Sequence, residues 1–466
     1  LNINAPTSTR TSPSDPLRRF AKEWSSPERI SQFETSTTVR DIHYCMTVCE
    51  VTSAQVSYNP RLVKEADALA GAGYDVHVVA PVLEDAKTGL DRELVSKRAW
   101  QWHPVPARRG AGFGETLRWL AASFRQAVYR RVAGLRGSDW GAARAYSRYV
   151  DELAERAAAL SADLYIAHNL QALPAAWKAA RSTGARLGFD AEDFHRGEFH
   201  LDHPESLEKR LTERIEETFI ARSDYVTAAS PGIGDAYAGL LDMEPPTTVL
   251  NVFSLEERDA DLPAAAREAE RPPGDDVVSV YWYSQVIGPD RGLQDAVRAI
   301  GRLDDRFHLS LRGTWADGFR DEVTRIAEAA GATGRVHHLS PAPPDELVAR
   351  AGLHDIGIAV EPSKDPNNDI AISNKILVYL LAGLAVAATE TSGQRFVHDH
   401  LCDAVRLCGS GSPEELSEQL SALAGDPDAL SAAQSRAEAA GRERLNWEAE
   451  QTAFLDVVST VLDTDA

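Results

Sequence analysis

The sequence predicts two doubly wound α/β domains, Rossmann-like in pattern and facing each other across a cleft. Three observations predict this. Short apolar strands alternate with amphipathic helices from residue 42 onward. The alternation breaks at a charged, Pro-containing stretch, 252–275, and then restarts and runs to about residue 410. Short strands separated by helices are the pattern of a parallel sheet covered on both faces. The length of 466 residues agrees, since it allows two or three domains at roughly 150 residues each.

Residues 1–40 read as an N-terminal extension, a loose tail and one short amphipathic helix too rich in Pro and Ser for a core of its own. The first domain, 41–252, opens on the strand IHYCMTVCE. PRLVKEADALAGAGY follows as a helix, with Leu62, Val63, Ala66 and Leu69 on one face and Gly71 and Gly73 at its end. DVHVVAP, ADLYIAHN (162–169), RLGFDAED (186–193), SDYVTAAS (223–230) and TTVLN (247–251) read as further strands with helices between them. Residues 252–275 read as an inter-domain linker. In the second domain, 253–435, the expected strands are VVSVYWYS (277–284), FHLSLRG (307–313), RVHHL (335–339), DIGIAV (355–360) and AVAAT (385–389). Helices from Gly292, Asp317, Pro344 and Ser373 separate them. The remainder is acidic and helical, and its last segment, 436–466, is expected to return to the first domain.

Composition narrows the function. With 43% hydrophobic and 26% charged residues the chain is globular, which excludes collagen-like, coiled-coil and wholly disordered readings. A net charge of -21 argues against nucleic-acid binding, which draws its affinity from Lys and Arg set against phosphates. Cys45, Cys49, Cys402 and Cys408 lack zinc-ribbon spacing and read as free buried thiols, which suits a reducing cytoplasm. No secretory signal is legible in residues 1–20, and the longest near-apolar run, 376–388, is too short to span a bilayer.

The stretch EPSKDPNNDIAISNKILVYLLAGLAVAATETSG (361–393) carries the most chemistry. Glu361 and Pro362 close a strand, a polar loop follows, and Ser373 and Asn374 are good caps for a helix from Lys375. A helix N-terminus with a Lys at its mouth attracts anions, although a capped helix with a solvated Lys gives the same pattern. Arg291, just before Gly292 at the start of another helix, is a second cation of the same kind.

The 361–393 stretch resembles the donor-binding segment of retaining glycosyltransferases of the GT-B fold, family 4 and its relatives (glycosyltransferase group 1). The matching residues are Pro362, Ser363, Asn374, Lys375, Tyr379, Ala382, Gly383 and Val386. YNPRLVKEADALAGAGYDVHVVAP, ADLYIAHNLQALPAA, RLGFDAEDFH, SDYVTAAS…VLN, DRGLQDAVRAI and RVHHLSPAPPDEL resemble other segments of that family in the same order. The resemblance implies transfer of a sugar from a nucleotide-diphosphate sugar to a small-molecule or glycan acceptor. It further implies retention at the anomeric carbon and no cofactor or metal. The catalytic set it implies is His168, Arg291 and Lys375. Donor binding falls to Ser284, Gln285, Gly292, Arg312, Leu339, Glu361, Ser373, Asn374 and Val378. Acceptor binding falls to Arg61, Asp190, Glu192, Asp193 and His195.

Two positions depart from the family pattern. Val378 stands where the family carries its ribose-binding glutamate, and Ser284-Gln285 stand where it often has Gly-Arg. A carboxylate accepts from ribose hydroxyls and a valine does not. The nucleotide is therefore held differently, or donor binding is weakened. The alternatives on the same fold are a nucleotide-sugar 2-epimerase and a catalytically silent partner subunit.

Other features are less specific. HRGEFHLDH (195–203) gathers three histidines without a familiar ligand spacing and reads better as polar cleft rim than as a metal site. GAGFG (110–114) lacks the strand that a dinucleotide-binding loop needs. Residues 107–136 hold seven Arg against one acid, Glu115, with Trp119, Phe124 and Tyr129 interleaved. That segment reads either as peripheral membrane contact or as a solvated face paired to the chain's excess carboxylates.

Overall fold

The structure, a computed structural model, describes residues 46–463 apart from 110–111, 133–137, 200–205, 275 and 402, and without the side chains of 85–87. The N-terminal extension, the start of the first predicted strand, part of GAGFG and the second half of HRGEFHLDH lie outside the described residues. Two parallel sheets organise the rest.

The first sheet holds β1 (Thr47–Thr52), β2 (Asp75–Val82), β3 (Gln101–Pro106), β4 (Leu164–His168), β5 (Arg186–Ala191), β6 (Tyr225–Ala228) and β7 (Thr247–Thr248), in the order β3-β2-β1-β4-β5-β6-β7. The second holds β8 (Val278–Ile287), β9 (Phe307–Trp315), β10 (Val336–Leu339), β11 (Ile356–Ala359), β12 (Ala385–Thr389) and β13 (Val405–Cys408), in the order β10-β9-β8-β11-β12-β13. Each order reverses once, between β1 and β4 and between β8 and β11. Such switch points open a crevice at the carboxyl ends of the strands.

Sequence reasoning missed β3 and β13. Both are edge strands; β3 (QWHPVP) carries two prolines and little apolar alternation, and β13 has only four residues. The supposed linker is also better ordered than its composition predicts. It contains the helices Leu255–Arg258 and Ala264–Glu270, and Arg258 donates to the Leu381 carbonyl (2.9 Å). The last helix, Trp447–Asp463, packs on the helix Pro60–Gly71 and on β6 and β7. Glu450 within it accepts from the Leu250 N–H (2.7 Å).

A glycine roofed by a tyrosine recurs at the centre of each sheet. Tyr225 crosses Gly188 of β5, and Tyr379 crosses Gly357 of β11, so closely that a Cβ on either glycine would overlap the ring. The Tyr379 hydroxyl donates to the Ile358 carbonyl (3.1 Å), which fastens the helix Asn374–Ala382 to β11.

One face of the first sheet is polar yet sealed. Strand register aligns Thr52, His168, Asp190 and Thr227 in a row, with Glu50 and Tyr225 one step behind. The helix Pro60–Gly71 brings Arg61 and Glu65 onto this row, and Glu50, Arg61, Glu65, His168 and Asp190 are at most 1% exposed. The Arg61 guanidinium grips the Asp190 carboxylate with two bonds (2.7 and 2.8 Å) and donates a third to the Val249 carbonyl (2.8 Å). Thr227 donates to Asp190 as well (2.9 Å). His168 has Nδ1 3.4 Å from Asp190, and its Nε2 lies 3.7 and 3.8 Å from Glu65 and Glu50.

This corrects three expectations. A place at a strand's carboxyl end predicts a cleft-facing His168, and the resemblance puts Arg61 and Asp190 at the acceptor. All three are instead turned under the helix Pro60–Gly71, where Arg61 and Asp190 are spent on each other and the His168 ring nitrogens lie 3.4–3.8 Å from carboxylates without a hydrogen bond among the described residues. Buried charges of this kind must be paired or neutralised. Burial raises the Asp190 carboxyl, but Arg61 and His168 outweigh it and hold it below the usual range. Burial pushes Glu50 up, and burial together with Asp190 pushes Glu65 up to about 8. Burial opposes a charge on His168, yet Glu65, Asp190 and Glu50 raise it well above the ordinary histidine value.

Two outcomes follow from this packing. Gly357→Ala forces Tyr379 off β11 and should cost about 3 kcal/mol, read from denaturant midpoints. In the second case, Glu65 and His168 hold protons in the folded chain that the unfolded chain releases at lower pH. Their contribution to stability is therefore complete at low pH and lost as pH rises toward and past 8, while that of Asp190 is lost only in acid. The melting temperature should fall between pH 6 and pH 9, and Glu65→Gln should flatten that slope; an unchanged slope would refute the assignment.

Candidate active site

The second switch point supplies the most complete constellation. The chain leaves β11 through Val360 into Glu361, and the helix Asn374–Ala382 begins opposite. Ser373 caps it by accepting from the Lys375 N–H (3.3 Å). The helix thus starts one residue earlier than the sequence predicts. Lys375 Nζ lies 2.7 Å from Glu361 Oε1, which also accepts from Trp282 Nε1 (3.1 Å). The same ammonium sits over the Trp282 and Tyr283 rings, 5.3 and 5.6 Å from their centroids. Glu361 Oε2 is buried with no hydrogen-bond partner among the described residues.

Arg291 comes to the same strand ends. Gly292 has a left-handed φ of 72°, and a Cβ there would collide with the Val360 carbonyl. Only glycine lets this turn lie so close to β11. Lys364 and Asp290 tie the two loops together (3.3 Å). Arg291 is exposed and pairs with no acid among the described residues. Beside it, the helix Leu293–Arg302 begins and presents its first N–H groups.

Several residues of the expected donor set lie elsewhere. Arg312 is 4% exposed, donating to the Tyr281 hydroxyl (2.8 Å) and the Ser340 carbonyl (2.6 Å) and pairing with Glu270. It holds the segment 264–270 to the sheet. Val378 is fully buried, because Ile376 through Leu381 are buried around the whole helix. That position has no access to a ribose. Ser284 and Gln285 do not follow the first strand of the second domain but lie within β8, where the register with β9 shifts between Tyr283 and Val286. Leu339 is half-buried on the edge strand β10, and Asn374 is exposed.

Across from Lys375, the first domain contributes the segment after β5. Glu192 accepts from Asn251 (3.3 Å), and burial raises its carboxyl. Asp193 accepts from Asn367 (2.9 Å), whose side-chain oxygen takes the Phe194 N–H (2.8 Å). Ser230 donates to the Ile370 carbonyl (2.9 Å). The short helix Pro366–Ile370, which sequence reasoning read as loop, therefore pins the loop after Glu361 onto the first domain. Its signal was present: Asp365 caps and Pro366 takes the first position. His195 lies beside this junction. Burial lowers it, but Glu198, 3.6 Å away, leads the groups that raise it above the ordinary value. At the first switch point itself, Asn169 adopts a left-handed φ of 64°, accepts from Ser53 (2.6 Å) and donates to Thr52 (3.1 Å). Asn367, Trp282, Tyr283 and Asn169 are the site residues that sequence reasoning passed over; Asn169 directly follows β4, where position was the available clue, while Trp282 and Tyr283 lie within β8.

Comparison with known proteins bears on the fold. No curated protein matches the chain by sequence. A family described as "Glycosyl transferase 4-like domain" matches residues 58–251. Among solved structures, a glycosyltransferase from Rickettsia africae superposes with a TM-score of 0.66 at 13% identity, covering 91% of this chain and 100% of that one. HepE of Anabaena in complex with UDP-glucose gives 0.61 at 13% identity, with 89% and 100% covered. Sucrose-phosphate synthase from Thermosynechococcus elongatus gives 0.63 at 12%, with 90% and 99% covered. The two sheets thus have the GT-B fold, and residues 58–251 match the glycosyl transferase 4-like family model.

Proposed function

We propose that this chain is a retaining glycosyltransferase that moves a sugar from a nucleotide-diphosphate sugar to a hydroxyl of a small-molecule or glycan acceptor. The observation that carries the reading is the pair of cations at the β8/β11 switch point, Lys375 and Arg291, each at the start of a helix. Helix N–H groups and two cations are what a leaving diphosphate requires, because its negative charge grows in the transition state. The bond from the anomeric carbon to the diphosphate breaks, the bond to the acceptor oxygen forms on the same face, and a phosphate oxygen takes the acceptor proton. No metal enters this scheme. Asp193 and His195, on the first-domain side, line the acceptor's approach. Two free buried thiols, Cys49 and Cys408, suit a reducing cytoplasm.

Glu361 takes the ribose role that Val378 cannot. In the unliganded geometry its carboxylate neutralises Lys375; once Lys375 turns to phosphate, Oε2 and the second acceptor position of Oε1, which keeps its bond from Trp282, accept ribose hydroxyls. A silent partner subunit is the second reading, and the Glu361–Lys375 pair favours it, because a nucleotide has to displace that carboxylate.

Calorimetry with UDP, GDP and dTDP tests the proposal, and failure of all three to bind would leave the silent reading. Lys375→Ala should weaken nucleotide binding roughly tenfold to a hundredfold, the worth of a hydrogen bond to a charged group. The intact protein should prefer UDP over its 2′,3′-dideoxy analogue by about tenfold. Glu361→Ala should erase that preference; a preference that survives would take the ribose away from Glu361.

A further inference from the structure

The helix Phe113–Val132 is built inside out. Its only fully buried residue is Ala122, with Trp119 and Tyr129 partly buried on the same side against the first domain's core. The opposite side carries Phe113, Leu117, Leu120, Phe124 and Val128 at helical spacing, facing solvent. Phe113 is 83% exposed and Phe124 73%, and the other three are 40–50% exposed. A surface helix ordinarily turns its polar side outward, so a continuous outward apolar stripe marks an interaction surface.

Charge identifies the partner. The chain carries -21 overall, yet this helix has Arg118, Arg125, Arg130 and Arg131 against a single acid, Glu115. Arg125 is used on Asp151 and Glu152, Arg130 pairs with Glu208, and Glu115 lies 3.8 Å from Arg108. Arg118 and Arg131 are exposed and pair with no acid among the described residues. A second copy apposed through the same face would set these free arginines against one another. An anionic bilayer satisfies both features, since the stripe enters the acyl boundary while the free arginines stay among the headgroups. We propose that the helix Phe113–Val132 is a membrane-surface docking helix that lies in the interface of an anionic lipid bilayer. This inference stands apart from the transferase reading, and either can fail without the other.

Flotation with vesicles tests it. The full chain should bind vesicles of equimolar phosphatidylcholine and phosphatidylglycerol, bind phosphatidylcholine alone far less, and release with added salt. Phe113→Ser/Phe124→Ser should lower partitioning at least tenfold. Arg118→Gln/Arg131→Gln should lower it by about tenfold on the anionic vesicles only. Leu90→Ser, at an exposed leucine on another helix, should change nothing, and melting curves establish that each variant folds. Wild-type protein that binds neither vesicle overturns the proposal. So does binding that both double variants leave intact, or self-association in solution that Phe113→Ser/Phe124→Ser abolishes while vesicles remain unbound.

Discussion

A parallel sheet covered on both faces can offer a ligand only the ends of its strands, and this constraint governs where chemistry can occur in the chain. Both sheets reverse their order once, and at both reversals polar side chains accumulate. The two reversals are used differently. At β8 and β11 the polar groups stand at the crevice, with Lys375 on an aromatic floor and Arg291 in solvent. At β1 and β4 the charged groups are buried beneath the helix Pro60–Gly71, His168 in the same row as Thr52, and Ser53 and Asn169 follow just beyond the strand ends.

That depth difference separates what the sequence makes legible from what it hides. Strand and helix alternation identifies the central strands because each is a short, largely apolar run buried on both faces, and it loses β3 and β13 because edge strands need not be. Capping residues locate the mouth of the Lys375 helix to within one residue, since Ser373 is a local signal. Burial is not local. His168, Asp190 and Arg61 look like cleft residues because they end strands or open helices, and whether they face solvent is decided by a helix that packs from elsewhere in the chain. Val378 shows the same limit from the other direction: alignment to a motif puts it at a ribose, while the all-apolar circumference of its helix puts it in the core. The apolar residues at 113, 117, 120, 124 and 128 carry helical spacing that is plain in the sequence, but only the packing of Trp119 and Tyr129 inward reveals which side is left out.

Two buried ionic networks hold the scaffold, and each does so by joining segments distant in sequence. Arg61 and Asp190 fasten a helix to β5 across 129 residues. Arg312 and Arg350 meet Glu270, which anchors the inter-domain segment to the second sheet. A hydrophobic replacement could pack either place as tightly, but it would not select one register, because apolar contacts are non-directional. The bidentate Arg61–Asp190 geometry does select one, and with it the alignment of the row from Thr52 to Thr227. The order beneath the first switch point therefore rests on buried ions paired with one another.

The Glu361–Lys375 pair is an interaction of the opposite sort, strong enough to be ordered and exposed enough to be exchanged. An ammonium at a helix mouth beside aromatic rings, with no anion near it, would meet unscreened positive potential from the helix as well. Glu361 supplies that anion, and on the proposed reading a diphosphate takes its place. The exchange costs one ion pair and makes another, so the net gain in affinity is modest on its own, and the remainder has to come from the helix N–H groups and from Arg291, which no acid among the described residues restrains. Selectivity for a dianionic leaving group over a monoanion follows from the same comparison, since only the ligand with the larger charge both replaces Glu361 and engages the second cation.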